Sequence, residues 1–454
     1  MNIFIVGAGQ VGCSLAKSLA KENHKITLID PDEEVLNGIS NRLDVICYVG
    51  NGASFSVLQS AGIEECDLLI ALTISDEINM LSCLCAHKLN VKHTVARVRN
   101  PEYTSQLYEL KKDLGLTMYV NPEKAAAETI ARIIRFPAAS RVELFAKGRV
   151  ELVSFKVQGD NPFSGMKLRE LSVNLGVNML ICAVDRNDEL IIPDGEFEIK
   201  EGDELYITGA PKEIEKALRK AKMYVNPIKN LIIYGSGRTT YHLCEALSKK
   251  NISIKIMEKD RSLAEEMASL IPGAVVLHGD ASDEEFLFEE GIRDADAFVA
   301  LGGTDEENIL SALFAKRVGV KKIIAKTDME RMSSMVKDLN IEASVSPKTV
   351  TVNRILRYVR AMEEGGENDN ILSIYKILDG RAEIVEFLAD EKIEGLTGIA
   401  LKDLKLKKNL LIAAIVRNNE VIIPRGGDFV SVGDSVLVVT ANRILSSLSD
   451  ITED

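Results

Sequence analysis

The stretch Gly7-Ala8-Gly9-Gln10-Val11-Gly12 decides the fold. It stands directly after the apolar run Asn2-Ile3-Phe4-Ile5-Val6 and opens an amphipathic pattern over residues 11–21. A G-x-G-x-x-G alone carries little weight. Between a strand and a helix it reads as the phosphate loop of a dinucleotide-binding βαβ unit. Gly7 serves the tight turn, Gly9 lets backbone approach a pyrophosphate, and Gly12 lets the helix sit close on the sheet. The helix start, at Gln10 and Val11, offers free N–H groups and the positive end of its dipole. Asp30 closes the second strand about 20 residues on, where a carboxylate accepts both hydroxyls of an adenosine ribose and repels a 2′-phosphate. That favours NAD over NADP; the structural alternative is a carboxylate that caps the turn before Pro31.

Outward from the loop, apolar runs at 2–6, 25–30, 45–49, 68–72, 94–98 and 118–120 alternate with helical patterns at 11–21, 33–42, 54–61, 77–89 and 101–114. This alternation predicts a doubly wound parallel sheet of the Rossmann kind. A further helix is expected at 122–135. From about residue 142 to 221 the texture changes to short alternating runs split by turn signals such as Gly159-Asp160-Asn161-Pro162, Asp194-Gly195 and Gly202-Asp203, a small α+β module.

The chain then repeats itself. Gly7 has its counterpart in Gly235 and Asp30 in Glu258; one inserted residue later, Gly50 matches Gly279, Gly62-Ile63 matches Gly291-Ile292, and Asn79 matches Asn308. Arg186-Asn187-Asp188-Glu189-Leu190-Ile191-Ile192-Pro193 returns as Arg417-Asn418-Asn419-Glu420-Val421-Ile422-Ile423-Pro424, and Gly202-Asp203 as Gly433-Asp434. The fold class is therefore α/β, two doubly wound parallel-sheet Rossmann domains (1–121 and 226–345), each followed by a linker helix and a small α+β domain (122–225 and 346–454). Gly365-Gly366-Glu367-Asn368-Asp369-Asn370 is polar and Gly-rich, the composition of a linker.

In the first unit, Gly50-Asn51-Gly52-Ala53-Ser54 follows the third strand. Small residues there let an adenine ring lie over the backbone, with Asn51 at its edge. Thr73-Ile74 end the fourth strand at the carboxyl edge, where such sheets bind ligands. Arg97 and Arg99 alternate onto one face of the fifth strand. A buried arginine needs an anion, either a bound phosphate or an ion pair with Asp76 or Glu77. The second loop, Gly235-Ser236-Gly237-Arg238-Thr239-Thr240, is altered. Thr240 replaces the third glycine and is expected to push helix and sheet apart. Glu258 keeps the ribose carboxylate, Asp280 follows the third strand, and Lys326 stands where the first copy has Arg97. This pocket either differs in ligand and affinity or is kept for structure.

Composition narrows the function. A net charge of −13 argues against a nucleic-acid partner, which needs a basic face, and against anionic lipid. The seven cysteines include no CxxC pair and imply a reduced compartment with no metal site. No apolar run approaches the ~20 residues of a membrane helix, and Met1 leads straight into the first strand, so a soluble chain without a signal peptide is expected. A dehydrogenase needs a proton-transfer group beside the hydride site. The five histidines, His24, His87, His93, His242 and His278, form no catalytic constellation and are expected at the surface or at caps. No catalytic residue is therefore assigned, and a nucleotide bound but not turned over reads as a sensed one. The rivals are an NAD-dependent oxidoreductase and a redox-sensing DNA-binding repressor; the latter lacks a basic winged-helix segment.

The glycine loop, Asp30, Gly50 to Ser54, Thr73-Ile74-Ser75-Asp76-Glu77-Ile78-Asn79 and Ala96-Arg97-Val98-Arg99, with Gly279-Asp280-Ala281-Ser282, Asp305-Glu306-Glu307-Asn308 and Arg135-Phe136-Pro137, together resemble the TrkA family of Trk potassium uptake proteins. That family is built from regulator-of-K⁺-conductance (RCK) N and C domains. The resemblance spans essentially the whole chain. It implies a non-enzymatic cytoplasmic subunit, peripheral on the inner face of the cell membrane. It implies a homo-oligomer, dimer or tetramer, that closes a ring beneath a membrane-embedded potassium transporter subunit of the TrkH or TrkG kind and gates it on binding nucleotide. By position, Gly7 to Val11, Asp30, Thr73, Ile74 and Arg97 would hold NAD(H), and Gly235 to Thr239 with Glu258 would hold NAD(H) or ATP/ADP. The sixth strand and the 122–135 helix are expected to meet another protomer, with hinges near Pro137 and Gly365-Gly366.

Overall fold

The computed structural model describes every residue except 137–138, 140, 158–160, 188, 221–227, 330–331, 333–334, 337–338, 340, 342, 364–370, 378–380, 390–392, 394, 442–444, 446 and 454. The expected hinges at Pro137 and Gly365-Gly366, the linker from Gly365 to Asn370 and the turn at Gly159-Asp160 lie outside the described residues.

Strands β1 (Asn2–Val6), β2 (Lys25–Asp30), β3 (Ile46–Val49), β4 (Leu68–Ala71), β5 (His93–Arg97) and β6 (Met118–Val120) alternate with helices α1 (Gln10–Ala20), α2 (Glu33–Ser40), α3 (Phe55–Ser60), α4 (Asp76–Lys88) and α5 (Pro101–Leu110). The strands pair in parallel in the order β3-β2-β1-β4-β5-β6. Their unbroken Ile, Leu and Val runs suit this sheet, since β1 and β4 are covered on both faces and buried along nearly their whole length. The order reverses between β1 and β4, which opens a crevice at their carboxyl ends, and the Gly7–Gly12 loop enters it.

Helix α6 (Pro122–Arg135) leads into an antiparallel sheet of β7 (Arg141–Phe145), β8 (Val150–Lys156), β9 (Met179–Arg186), β10 (Glu189–Ile191) and β11 (Glu204–Gly209), ordered β10-β9-β11-β8-β7, with α7 (Leu168–Leu175) and α8 (Pro211–Lys220). The second half repeats both parts. Strands β12 (Asn230–Tyr234), β13 (Ser253–Glu258), β14 (Val275–His278), β15 (Ala297–Ala300), β16 (Lys322–Lys326) and β17 (Ala343–Val345) form the sheet β14-β13-β12-β15-β16-β17. Its helices are α9 (Arg238–Leu247), α10 (Arg261–Leu270), α11 (Glu284–Glu289) and α12 (Asp305–Arg317). Helix α13 (Pro347–Glu363) then leads into β18 (Ile371–Ile377), β19 (Ala382–Leu388), β20 (Leu410–Arg417), β21 (Glu420–Ile422) and β22 (Ser435–Ala441), ordered β18-β19-β22-β20-β21. The late repeat has a structural cause. Arg186 Nε donates to Asp203 Oδ1 at 2.7 Å, and Arg417 Nε donates to Asp434 Oδ1 at 3.0 Å, fixing the same turn in both small domains.

The two halves exchange helices. The apolar face of α6 (Ala126, Ala127, Ile130, Ile133, Ile134) shares one core with Ile233, Leu243, Leu247 and Val299 of the second parallel-sheet unit. Helix α13 returns the arrangement, burying Val352, Ile355, Leu356 and Val359 among Ile5, Leu15, Leu19 and Ile70 of the first. Arg360 Nε donates to Glu22 Oε2 at 2.8 Å at this second crossing. The expectation that 122–135 meets a neighbouring protomer is thus corrected: its apolar face is spent inside the chain. The small domains also meet, burying Cys182, Ala183 and Tyr206 against Ala413, Ala414 and Val439. Thr208 Oγ1 donates to the Ala413 carbonyl at 3.1 Å across this contact, and the Tyr375 hydroxyl to Glu143 at 2.6 Å.

All seven cysteines are free thiols; only Cys13 and Cys47 are partly exposed. Burial pushes the thiols of Cys66, Cys83, Cys182 and Cys244 up to about 12, far from the reactive thiolate form at neutral pH. A thiol-reactive chromophore is therefore expected to titrate no more than the two partly exposed cysteines in native protein and all seven after denaturation. Rapid native reaction of a third would contradict this packing.

Candidate nucleotide site

Gly7 adopts φ +104°, and a Cβ there would lie 2.9 Å from the Thr73 nitrogen. A Cβ on Gly12 would lie 1.9 Å from the Gly7 carbonyl oxygen. Glycine at these two positions is what lets α1 begin against the end of β1. Gly9 has nothing within 4 Å of where its Cβ would stand, so its outer side is open. It is also the N-cap of α1, with no side chain capping the helix. By contrast α2, α4, α5 and α6 are capped by Asp32, Ser75, Asn100 and Asn121. Uncapped N–H groups at a glycine-lined helix start suit a phosphate. Ala8 is buried under the loop, while Gln10 and Val11 open the helix beside it.

Asp30 lies at the mouth of the crevice. Its Oδ2 accepts from the Ala8 N–H at 2.6 Å and its Oδ1 from the Asp32 N–H at 3.0 Å, which leaves each oxygen a second acceptor position. Beside it, the Gly50 N–H donates to the Asp30 carbonyl at 3.0 Å. Gly52 packs on Val6, where a Cβ would fall 2.2 Å from Val6 Cγ1. Asn51 Oδ1 accepts from the Ala53 N–H at 3.0 Å, which holds the carboxamide in the turn and leaves its NH₂ and one acceptor position for a base edge.

On the far side of the crevice, Arg97 and Arg99 reach the same segment. Arg97 Nη2 donates to the Thr73 carbonyl, and Arg99 Nη2 to the Ile74 carbonyl at 2.5 Å. The Ile74 side chain itself is 86% exposed. The carboxylates near Asp76 turn to Arg99, which lies 3.8 Å from both Asp76 Oδ1 and Glu123 Oε1. Glu77 accepts from Ser75 and Tyr103. Burial holds the Arg97 guanidinium below its ordinary pKa; the charges of Arg99 and Arg238 add to this, and Glu123 and Asp76 oppose it. Arg97 Nε is buried without a hydrogen-bond partner. Phosphate oxygens fit that group, and Arg238 of the second loop lies close enough to act on it.

One residue behind this geometry was not singled out from sequence as part of the site. Asn79, fully buried, accepts from the Thr73 N–H at 2.7 Å and donates to the Thr73 and Arg97 carbonyls at 3.1 and 2.9 Å. Asn308 does the same for Gly302 and the Lys326 carbonyl. The repetition of this asparagine in both copies was the available signal.

The second site is built differently. Gly235 has φ +95°, and α9 starts on Gly237, also without a side-chain cap. Thr240, the threonine expected to push helix and sheet apart, donates its hydroxyl to the Gly235 carbonyl at 2.6 Å. Glu258 Oε2 accepts from both the N–H and the hydroxyl of Ser236, at 2.9 and 2.7 Å, and its Oε1 accepts from the Asp260 N–H at 2.9 Å. Asp280 is engaged by the Ser282 N–H and hydroxyl at 2.8 and 2.7 Å. Arg238 is exposed and Thr239 buried. Two histidines depart from expectation: His24 and His242 are buried, the latter on α9, which packs against α6.

The TrkA-N domain model matches residues 3–122 and 231–347, and the TrkA-C domain model matches 152–222 and 390–452. The chain belongs to the TrkA family. A Trk system potassium uptake protein TrkA homolog of Methanosarcina mazei is 34% identical over 96% of this chain and 97% of its own length. The Trk system potassium uptake protein TrkA of Haemophilus influenzae is 30% identical over 98% and 96%. Among solved structures, the GsuK RCK domain covers 97% of this chain and 92% of its own with a TM-score of 0.64 at 18% identity. The GsuK channel bound to NAD gives 0.64 over 97% of this chain and 77% of its own. These share the TrkA-family architecture of two parallel sheets, each followed by an antiparallel one. No helix among the described residues is long and apolar enough to cross a membrane.

Proposed function

We propose that this chain is the nucleotide-sensing regulatory subunit of a Trk potassium uptake system, with NAD(H) bound on the first loop. The observation that carries this reading is the uncapped Gly9 helix start facing the Asp30 carboxylate, whose oxygens keep free acceptor positions. Arg97 supports it, a half-buried guanidinium whose Nε is buried and unpartnered at the carboxyl edge of the sheet. The family relatives are named as potassium uptake proteins, and a structural neighbour of the same fold was solved with NAD. On this reading the crevice binds NAD(H) without turning it over, and the chain acts on the cytoplasmic side as a ring-forming homo-oligomer beneath a membrane-embedded transporter. Gating is a population shift: the nucleotide changes ring shape only through unequal affinity for two conformations, and coupling of ~1–3 kcal/mol gives roughly 5- to 150-fold. For the second loop, NAD(H) or ATP/ADP is the expectation carried over from the family.

Asp30→Ala removes the ribose acceptor and frees the Ala8 N–H. Loss of hydrogen bonds to a charged group costs about 1.5–3 kcal/mol, so NADH affinity is expected to fall at least tenfold. Calorimetric titration of the full chain measures it; unchanged affinity would sink the assignment. Steady turnover of a hydroxy or keto substrate with NADH would instead favour the oxidoreductase.

A further inference from the structure

We infer that the adenosine pocket of the second parallel-sheet unit is filled by the chain's own side chains, so that each chain holds a single adenine nucleotide, on the first loop. This rests on the reading of the first pocket as the nucleotide site. Five positions that are neutral in the first unit, Val6, Ala8, Pro31, Thr73 and Ile78, are replaced in the second by Tyr234, Ser236, Lys259, Gly302 and Glu307.

The replacements fit one another. Tyr234 ends β12, and its ring leans across to the end of β15, where a Cβ on Gly302 would lie 2.7 Å from the ring's Cε1. A side chain at that position would have to push the ring aside. Above the ring, Lys259 Nζ donates to Glu307 Oε1 at 2.7 Å, tying the end of β13 to the first turn of α12. The Tyr234 hydroxyl lies in the field of Glu307, Lys259, Asp280 and Glu258. Those residues come from the end of β13, the loop after β14 and the start of α12. The corresponding segments of the first unit, around Asp30, Gly50 to Ser54 and Thr73 to Ile78, are the walls expected to surround an adenosine. Burial raises the phenol to about 12, so it stays a neutral, space-filling group.

The ribose end is narrowed as well. Ser236 contributes a hydroxyl where Ala8 has a methyl, and both its donors fall on Glu258 Oε2. Of the two acceptor positions that Asp30 leaves open, the one on the loop-side oxygen is taken in Glu258, while Oε1 accepts only from the Asp260 N–H. To admit an adenosine, the second unit must break the Lys259–Glu307 pair and displace a buried ring, and a ribose hydroxyl can use Glu258 Oε2 only by stripping Ser236 from it. The first unit needs none of these steps. What remains on the second loop is its phosphate end, with the charge of Arg238 felt at Arg97.

The test is the stoichiometry of NADH binding to the full chain by equilibrium dialysis, repeated with ADP. One equivalent per chain, weakened at least tenfold by Asp30→Ala, is the expected result. The double variant Tyr234→Val, Lys259→Ala is expected to gain a second equivalent. Two equivalents in the unsubstituted chain would overturn the inference. A double variant that stays at one would overturn the role given to Tyr234 and Lys259. No binding of either nucleotide to the unsubstituted chain would overturn the prior reading of the first pocket, a distinguishable failure.

Discussion

Gly12→Thr is expected to cost the first unit at least tenfold in NADH affinity while the chain still folds. The physical cause is local. A Cβ at Gly12 meets the Gly7 carbonyl oxygen at 1.9 Å and its carbon at 3.1 Å, both rigid backbone atoms. Helix and loop must separate, and overpacking of this kind costs about 1–3 kcal/mol. The second copy shows how the chain accommodates the same side chain: Thr240 draws the Gly235 carbonyl onto its hydroxyl at 2.6 Å. Gly12→Thr is thus expected to import that arrangement, shifting the N–H groups that face a pyrophosphate. Each 1.4 kcal/mol of lost interaction is a tenfold weaker complex. Calorimetry with NADH beside a thermal melt separates the two effects. Full-strength binding by the folded variant would show that the loop's close approach to α1 does not matter for the ligand.

Expressed separately, residues 1–220 and 228–454 are expected to fail to fold, and to recover native structure when produced together. Each piece would present an apolar helix face with nothing beneath it and lack the helix that covers its own sheet. Ile130 of α6 is fully buried against the second unit and Ile355 of α13 against the first. Truncating either to alanine in the intact chain is expected to cost about 2–5 kcal/mol, a large share of the ~5–15 kcal/mol that holds a typical domain. Size-exclusion chromatography and circular dichroism of the separate pieces decide it. Two monodisperse, folded halves would refute the exchanged-helix arrangement.

The parallel sheets were legible because strand and helix patterns alternate cleanly. β1, β2, β6 and α6 fall on the expected bounds, and the other elements of the first sheet within a few residues. Periodicity shows that Ala126, Ile130 and Ile133 share an apolar stripe. It does not show which sheet receives it, because Ile and Leu on either partner satisfy the same burial. That is why α6 read as a contact between protomers. The glycine loop and Asp30 were legible because their spacing carries the chemistry. Asn79 was not singled out, since a buried carboxamide binding three backbone groups looks in sequence like any polar residue near a helix start. Tyr234 was hidden for the opposite reason: an aromatic at a strand end reads as core, and its meaning emerges only beside Gly302, Lys259 and Glu307.

The exchanged helices also bear on inheritance. When two nucleotide-binding units meet as separate copies of one gene product, every substitution appears on both sides of the contact. Here α6 and α13 lock two covalently joined units whose residues descend independently. Arg238 and Arg97 can therefore diverge without either having to suit its own mirror image. The pairing is also indifferent to dilution, because the tether holds the partners at high effective concentration. A cell that carries two alleles makes no mixed pairs at this contact: each α6 packs only on the second unit translated with it.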